Sequence, residues 1–485
     1  MPRLLLLVSY LSRFVYYRWL SPSPLAYTVL FQAATRLGGV YVKLMQFLSL
    51  RTDFIPDTYR LQFLAFLDQV PTIPLDVTAK IQIELGPNAL AQFSSLEKTP
   101  FASGTFGQVY RGKLTNGQEV VVKIKRPGWL WPLVLDLNLI TVLAWICNLF
   151  FQPKLVNVMG LIREFKQLTW KELDYQHEVA NAQFMFEIYK DHPQVVIPQT
   201  YSALSNKSII TQDYVGGVAV TDLMRLKLQG IDHDRYLHDH YQTDLREVIK
   251  QLQYDVAWQG LMQDHFYSDP HPGNIKILPH NQYGLIDFGI MGESPKNKRN
   301  YYHLLETLAQ SPQGMDEAAL SREMLEFGAH RLARSLRVYD RFEYKAKTSL
   351  HEQVLHRYAE KIAGEKETFR QIEIQEVENY SKILLRLFTV GEQFRMQVPE
   401  GFFAVIRSVA LIKSMTEYLE PGLHIARAVY QQIVDDVDES ELLNYEDLNQ
   451  PEPTYEEAAE QIIDWLANVA EVDVPLYYQL ASNGA

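Results

Sequence analysis

Two acidic residues and one amide occur in this chain at spacings that suit metal-dependent phosphoryl transfer. Asn274 follows Asp269 by five positions, and Asp287 opens an Asp-Phe-Gly sequence at the end of the next hydrophobic run. In a D-x-x-x-x-N loop the acid orients or deprotonates the acceptor, whereas the amide and a second acid hold Mg²⁺ on the phosphates of ATP. We therefore predict Asp269 as a catalytic residue and Asn274 and Asp287 as metal ligands.

A glycine-bearing turn and a lysine precede these residues in the order that such a site requires. Two β-type runs, 106–114 and 119–125, flank an Asn-Gly hairpin turn, and Lys123 lies in the second run. Glycines allow the backbone to approach phosphates closely, and a strand lysine can pair with the α- and β-phosphates when a helix carboxylate orients it. The predicted nucleotide-contacting residues are Ser103, Gly104, Thr105, Gly107, Val109, Lys123, Asp213 and Val215.

The bulk composition restricts the possible partners. The 485 residues carry a formal net charge of −12, which argues against a nucleic-acid binder because such proteins need a basic face. One cysteine, Cys147, excludes an internal disulfide framework. The N-terminus makes a poor secretory signal. Polar residues interrupt the apolar stretch 137–151, which falls short of the roughly 18 apolar residues of a spanning helix, so a buried helix is predicted.

The hydrophobic pattern predicts an α+β, two-lobed fold with a small β-rich N-lobe, a helical C-lobe and an N-terminal helical extension. The predicted divisions are an extension at 1–94, an N-lobe at 95–217, a C-lobe at 218–437, and an acidic linker with a last helix at 438–485. An edge strand is predicted at 208–215, and a buried helical face is predicted at 63–70. A capping box at Thr454 and Glu457 is predicted to open the last helix.

Two other features have more than one interpretation. The aromatic and basic residues of 4–20 suit either a membrane interface or a surface helix packed on the catalytic body. His233, His238 and His240 cluster with aspartates, but their spacing matches no zinc pattern well, and a solvated loop or helix end is favoured.

Four motifs resemble those of the UbiB/AarF (ADCK-type) atypical protein kinase-like family. Residues 267–274, YSDPHPGN, resemble its HADPHPGN signature, and residues 43–46, KLMQ, resemble its KxGQ motif with Met45 in place of the glycine. Residues 172–175, ELDY, followed by Glu178 and Asn181, resemble the ExD motif and the helix-C glutamate. Residues 122–128 are similar to the family's lysine strand. The resemblance extends from residue 30 to about residue 430.

The resemblance implies roles for several residues. Lys123 would pair with Glu178, and both would join Asp269 in the catalytic set. Lys43 and Gln46 would reach into the cleft near Glu172 and Asp174, where the extension covers the place of a protein substrate.

The resemblance also implies ATP and Mg²⁺ as cofactors, and ATPase or small-molecule kinase chemistry rather than ordinary protein phosphorylation. It further implies a role in isoprenoid-quinone or other prenyl-lipid metabolism, with a membrane surface or prenyl lipid and lipid-biosynthesis enzymes as partners. The expected location is peripheral on the cytoplasmic side of a membrane, or in a plastid or mitochondrion of a eukaryote.

Three functional hypotheses follow. The first is an active ATP- and Mg²⁺-dependent enzyme of this family. The second is a nucleotide-gated scaffold that organises lipid-biosynthesis enzymes with little turnover. The third is a small-molecule kinase, against which an extension carrying Lys43 and Gln46 argues.

Overall fold

A computed structural model describes most of the chain. The described residues are 2–49, 72–128, 130–151, 158–310, 317–342, 349–364, 401–442 and 452–468. The helix predicted at 63–70 lies outside them. The predicted α+β class is confirmed, because short sheets lie in the first 293 residues and the described residues beyond are helical.

The α-helices of the described residues are numbered here in chain order. They are α1 (Pro2–Val15), α2 (Leu25–Leu37), α3 (Val40–Ser49), α4 (Val77–Leu85), α5 (Pro87–Leu90), α6 (Leu130–Phe151), α7 (Val158–Glu172), α8 (Tyr175–Tyr189), α9 (Val220–Leu228), α10 (His233–Tyr241), α11 (Leu245–Met262), α12 (Lys298–Gln310), α13 (Glu317–Gly328), α14 (His330–Phe342), α15 (Leu350–Gly364), α16 (Phe402–Leu419), α17 (Ala426–Asp436) and α18 (Tyr455–Asn468). A π-helical turn at Tyr16–Leu20 extends α1, and 3₁₀ turns occur at Ser202–Leu204, Pro272–Asn274 and Glu439–Glu441.

The strands form three sheets. They are β1 (Phe93–Leu96), β2 (Ala102–Ser103), β3 (Gly107–Leu114), β4 (Glu119–Lys125), β5 (Val195–Val196), β6 (Ile209–Asp213), β7 (Val218–Ala219), β8 (His265–Tyr267), β9 (Ile275–Ile277), β10 (Tyr283–Leu285) and β11 (Met291–Glu293). The first sheet has the order β1-β3-β4-β6, with β2 also paired to β3. The second has the order β5-β10-β9-β7, and β8 pairs with β11 in the third.

The chain divides into two compact units. The first comprises residues 1–248, 269–291 and 414–419, and the second comprises residues 249–268, 292–413 and 420–485. In the second unit α12 packs with α17, α13 with α15, and α14 with α18. The helix α18 begins with the predicted capping box, since the Thr454 amide donates to Glu457 at 2.8 Å and the Glu457 amide donates to Thr454 Oγ1 at 3.3 Å.

The first sheet positions Lys123. The strands β3 and β4 pair in antiparallel register, as the Asn-Gly hairpin predicted, and β6 lies at the sheet edge as predicted. Val122 and Ile124 are fully buried in a core with Ile81 of α4. Because successive strand side chains point to opposite faces, Lys123 must project from the other face.

A separate apolar cluster joins five helices of the first unit, and we call it the helical cluster. It contains buried side chains of α1, α2, α3, α6 and α7, including Leu7, Leu37, Met45, Leu137 and Phe165. The prediction that residues 137–151 form a buried helix is therefore only half correct. One face packs into the cluster, and side chains of the opposite face are exposed. None of the described helices is both long enough and apolar enough to cross a bilayer.

A close backbone contact in the first unit leads to a stability prediction for Gly217. Its φ is +78°, and a Cβ there would lie 2.3 Å from the carbonyl oxygen of Ile277. We expect Gly217→Ala to lower the free energy of unfolding by about 2 kcal/mol or more, because strain and a backbone clash add. Urea denaturation measures this loss.

Gly216→Ala is the matched control, because a Cβ at Gly216 meets no described atom within 4 Å. If the two variants unfold at the same urea concentration, the close contact at Gly217 has no energetic importance.

Candidate functional site

Lys123 lies between two carboxylates in the first unit. Its Nζ is 2.7 and 2.8 Å from the two carboxylate oxygens of Glu178 and 2.9 Å from Oδ2 of Asp287. The lysine comes from the middle of β4, the glutamate from the first turns of α8, and the aspartate from the segment after β10. The fold thus brings together three residues that are up to 164 positions apart in the chain.

Burial and charge determine the protonation of this triad. Burial, followed by the negative charge of Asp287, raises the pKa of Glu178 to about 7, against the opposing effect of Lys123. Burial alone would raise the pKa of Asp287 also, but Lys123 and the amide of Gly289 lower it below its usual value. Burial opposes the charge on Lys123, yet Asp287 and Glu178 together hold its pKa well above the usual value.

Hydrogen bonds hold the Asp-Phe-Gly segment in place. The Gly289 amide donates to Asp287 Oδ1 at 3.0 Å, and Asn181 of α8 donates to the Phe288 carbonyl at 2.8 Å. Gln212 of β6 donates to the Ile286 carbonyl at 3.0 Å. The sequence interpretation assigned no role to Gln212. The signal that could have identified Gln212 is its position in the edge strand, one residue before Asp213.

The loop carrying Asp269 and Asn274 also lies in the first unit. The carbonyl of Asp269 accepts from the His271 amide at 2.7 Å and from Asn274 Nδ2 at 3.5 Å. The Ile286 amide donates to the Asn274 carbonyl at 3.1 Å, which places Asn274 beside the strand leading to Asp287. Carboxylate and amide oxygens are suitable Mg²⁺ ligands, so the donor types of Asp287 and Asn274 fit the predicted ion.

Lys43 of α3 reaches the same region, as the resemblance implied. Its Nζ lies 2.5 Å from Oε2 of Glu172, the last residue of α7. Burial would lower the pKa of Lys43, but the charges of Glu172, Asp269 and Asp287 raise it above the usual value. Met45 does not prevent this placement, because its side chain is buried in the helical cluster. The side chain of Gln46 lies outside the described part of the structure.

Several acidic side chains converge around Gly289. A Cβ at that position would lie 3.3 Å from Asp287 Oδ1, 3.6 Å from Glu172 Cγ and 3.8 Å from Glu178 Oε2. Asp174 is oriented differently, because its side chain caps α8 by accepting from the Gln176 amide at 3.1 Å. The residues that the resemblance placed together in the cleft therefore have different surroundings. Lys43 and Glu172 meet at the acidic side chains around Gly289, whereas Asp174 caps the N-terminus of α8.

The remaining predicted nucleotide-contacting residues occupy the first sheet and its edge. Val109 pairs with Lys123 across β3 and β4, so both project from one face. The hydroxyl of Ser103 accepts from Arg126 at 2.5 Å. Asp213 accepts from the Tyr201 hydroxyl at 2.8 Å. Val215 packs near Gly284, where an added Cβ would lie 2.8 Å from its Cγ1.

The glycine-bearing turn has a packing constraint that the sequence interpretation missed. The Gly104 amide donates to the Gly107 carbonyl at 2.9 Å and closes the turn around Thr105. A Cβ at Gly107 would lie 2.4 Å from Oη of Tyr175 and 3.2 Å from the Ile124 carbonyl oxygen. Tyr175, the first residue of α8, is buried, and Lys123 Nζ lies 5.1 Å from its ring centroid. Gly107 is thus required by contact with α8 as well as by any approach of phosphate.

This contact predicts that Gly107→Ala lowers the free energy of unfolding by about 1–3 kcal/mol, because the added methyl group overlaps Tyr175 Oη. Tyr175→Phe removes that oxygen, which has no hydrogen-bond partner in the described part of the chain. We expect the double variant Gly107→Ala/Tyr175→Phe to regain part of the loss. Chemical denaturation of the three variants measures the coupling.

Gly104→Ala is the control in the same turn, since the nearest described atom to its Cβ would be 3.9 Å away. An unchanged stability of Gly107→Ala, or strictly additive effects in the double variant, would contradict the contact.

A second prediction concerns pH. The Glu178 carboxyl has a pKa of about 7 in the folded protein and an ordinary value of 4.5, so the folded state binds more protons between these values. This group therefore destabilises the protein progressively as pH rises from about 4.5 to about 7. We expect the melting temperature of Glu178→Gln, relative to wild type, to increase over that interval. Calorimetry without nucleotide measures the difference.

Glu187→Gln is the control on the same helix, because Glu187 is exposed there. Its melting temperature should follow that of wild type at every pH. A constant difference between Glu178→Gln and wild type across the interval would show that Glu178 does not titrate there.

Comparisons with known proteins identify the family to which this chain belongs. The sequence profile of the ABC1 atypical kinase-like domain matches residues 65–315. The chloroplastic protein ACTIVITY OF BC1 COMPLEX KINASE 3 of Arabidopsis thaliana is 31% identical over 267 residues, which are 55% of this chain and 36% of that protein. A probable protein kinase UbiB of Pseudomonas fluorescens is 24% identical over 427 residues, covering 84% of this chain and 72% of that protein.

Among solved structures, a Mycobacterium tuberculosis protein determined in complex with erythromycin is 23% identical, with a TM-score of 0.44 over 81% of this chain and 95% of that chain. The chain spans well under half the length of the chloroplastic relative. The match of the domain profile to more than half of the chain confirms the predicted kinase-like fold and the resemblance stated from the motifs. The chain belongs to the ABC1 atypical kinase-like family, which includes UbiB and AarF-domain homologues.

Proposed function

We propose that this protein is an ATP- and Mg²⁺-dependent atypical kinase or ATPase. The observation that carries the proposal is the placement of Lys123 Nζ within 2.9 Å of both Glu178 and Asp287. In phosphoryl-transfer proteins this lysine contacts the α- and β-phosphates, and the helix glutamate orients it. Bound Mg²⁺ would neutralise phosphate charge, and Asp287 and Asn274 are the residues proposed to hold it.

The proposed roles of the other residues follow from their charges. Asp269 would orient or deprotonate the acceptor, for which a carboxylate in a D-x-x-x-x-N loop is suited. Lys43 would keep the acidic cluster of Glu172 and Asp287 compact in the absence of nucleotide, since its ammonium pairs with Glu172 and is attracted by the charge of Asp287. Backbone groups of the turn at Gly104 would lie against the phosphates.

We also propose that the activity supports isoprenoid-quinone or other prenyl-lipid metabolism at a membrane surface. Kinship with probable UbiB kinases and with chloroplastic ABC1 kinases supports this assignment. A peripheral location is proposed, in a plastid or mitochondrion if the source is eukaryotic. Prenyl lipids and the enzymes that make them are the proposed partners.

The second candidate is a nucleotide-gated scaffold with little turnover. The observation that favours it is Lys43, whose charge acts on both Asp269 and Asp287 and would oppose the approach of an acceptor. Release of inorganic phosphate from Mg·ATP distinguishes the two candidates. Turnover by wild type that is lost in Asp287→Asn supports the enzyme, whereas nucleotide binding without phosphate release in wild type supports the scaffold.

Nucleotide binding itself gives a testable prediction. A ligand at 100 times its dissociation constant stabilises the folded state by about 2.7 kcal/mol. Wild type should therefore melt a few degrees higher with Mg·ATP than without it, by roughly 2–4 °C for a domain of this size. We expect Lys123→Ala and Asp287→Asn to lose this shift, because each removes one charged group from the triad.

Lys113→Ala is the control, since Lys113 is an exposed lysine on the neighbouring strand β3. It should retain the full shift. A full shift in Asp287→Asn, with Mg²⁺ required for it, would exclude the metal role proposed for that residue.

A further inference from the structure

One face of α6 exposes large apolar side chains at helical spacing. The exposed fractions lie between 52% and 78% for Trp131, Leu135, Val142 and Trp145. Asn138, which lies between Leu135 and Val142 in the chain, is also exposed. Their spacing of four, three, four and three residues places all five on one side of the helix. With a rise of 1.5 Å per residue, the two tryptophans are about 21 Å apart along the axis. Exposed apolar patches of this kind mark interaction surfaces.

The same face carries no charge. The single acidic or basic residue of α6, Asp136, is buried on the opposite side and accepts from the Tyr41 hydroxyl at 3.2 Å. Leu133, Leu137, Ile140 and Ala144 fill the helical cluster from that side. The exposed face of α6 therefore carries no charge, because the only acidic side chain of the helix lies on its buried side.

The helix α1 contributes to the same helical cluster as α6 and carries exposed basic residues. Its buried Leu7 belongs to the helical cluster, whereas Leu5 and Val8 are exposed, as are Arg13 and Arg18. Residues 1–52 contain six arginine and lysine residues and no aspartate or glutamate, in a chain whose net charge is −12. Positive charge is thus concentrated in the segment that packs with α6 in one cluster.

We propose that the exposed face of α6, together with the basic surface of α1, docks on an anionic lipid bilayer. The helix would lie in the plane of the membrane, with its apolar face at the boundary of headgroups and acyl chains. Tryptophan at both ends of the face suits that boundary, and the exposed arginines of the N-terminal segment would be attracted by anionic headgroups. The inference rests on the membrane location proposed above and assigns it to named residues.

Charge favours an anionic membrane over a second copy of this chain as the occupant. A helix of a second copy of this chain would bring its own basic segment towards the first, and the two would repel. An anionic bilayer offers negative charge over its whole surface, and each nearby basic residue contributes about 1 kcal/mol to binding. The apolar face supplies the remainder by burial of its side chains.

Vesicle sedimentation tests the proposal with the full-length protein and no nucleotide. Vesicles of phosphatidylcholine with phosphatidylglycerol should bind wild type, and vesicles of phosphatidylcholine alone should bind it at least about tenfold more weakly. Trp131→Gln/Trp145→Gln should reduce binding to the anionic vesicles about tenfold or more, because burial of each indole is lost. Ile83→Gln/Leu228→Gln is the matched control, since these residues are 79% and 55% exposed on other helices.

The charge contribution is tested separately. Arg13→Gln/Arg18→Gln should weaken binding about tenfold at low salt and reduce the dependence of binding on salt. Lys98→Gln/Lys113→Gln removes the same charge from other exposed positions and should bind as wild type does. Equal losses in both double variants would mean that net charge, rather than the basic surface of α1, governs binding, and would overturn this part of the proposal.

The remaining outcomes distinguish this surface from the nucleotide site. Lys123→Ala should bind vesicles normally, so failure of the proposed nucleotide chemistry leaves the lipid face standing. Conversely, normal vesicle binding by Trp131→Gln/Trp145→Gln would overturn the proposal. So would a wild-type dimer in light scattering that the same variant converts to a monomer while vesicles bind neither protein, because the face would then be a subunit interface.

Discussion

The sharing of one partly buried ammonium between two carboxylates is the interaction on which the candidate site depends. Lys123 pairs with Glu178 and Asp287 at once, and a single positive charge cannot neutralise both. The consequence is seen in Glu178, whose pKa rises to about 7 because it is buried and lies near the charge of Asp287. A site with this excess of negative charge favours a further cation, and in the proposed function that cation is a divalent ion bound to a nucleotide.

The surrounding structure keeps this arrangement in place from several directions. The alternation of β4 buries Val122 and Ile124 and leaves Lys123 on the other face. Asn181 and Gln212 hold the backbone on either side of Asp287. Such contacts matter because a carboxylate displaced by about 1 Å loses most of its value for positioning a reacting group.

The N-terminal segment contributes through two different physical properties. Inside the protein, Lys43 places a second ammonium beside Glu172 and thereby reduces repulsion within the acidic cluster. On the surface, the same acid-free segment provides the arginines proposed to meet a lipid bilayer. Its basic character therefore serves the proposed site and the proposed membrane face together.

Much of the local fold could be predicted from sequence, because neighbouring residues determine it. The Asn-Gly hairpin, the edge strand β6 and the capping box at Thr454 depend on residues that are neighbours in the chain. The motif spacing also predicted that Lys123 would meet a helix carboxylate. The four-part division of the chain remains a prediction, as do the catalytic and metal-binding roles.

Only the tertiary structure decided the contacts between distant segments. No local pattern distinguishes Asp174, which caps a helix, from Glu172, which pairs with Lys43 across 129 positions. Nor could hydropathy show that α6 buries one apolar face and exposes the other, since most residues of both faces are apolar. The sequence determined which residue types and local elements were present, and long-range packing determined which of their surfaces met, because packing depends on shape rather than on spacing along the chain.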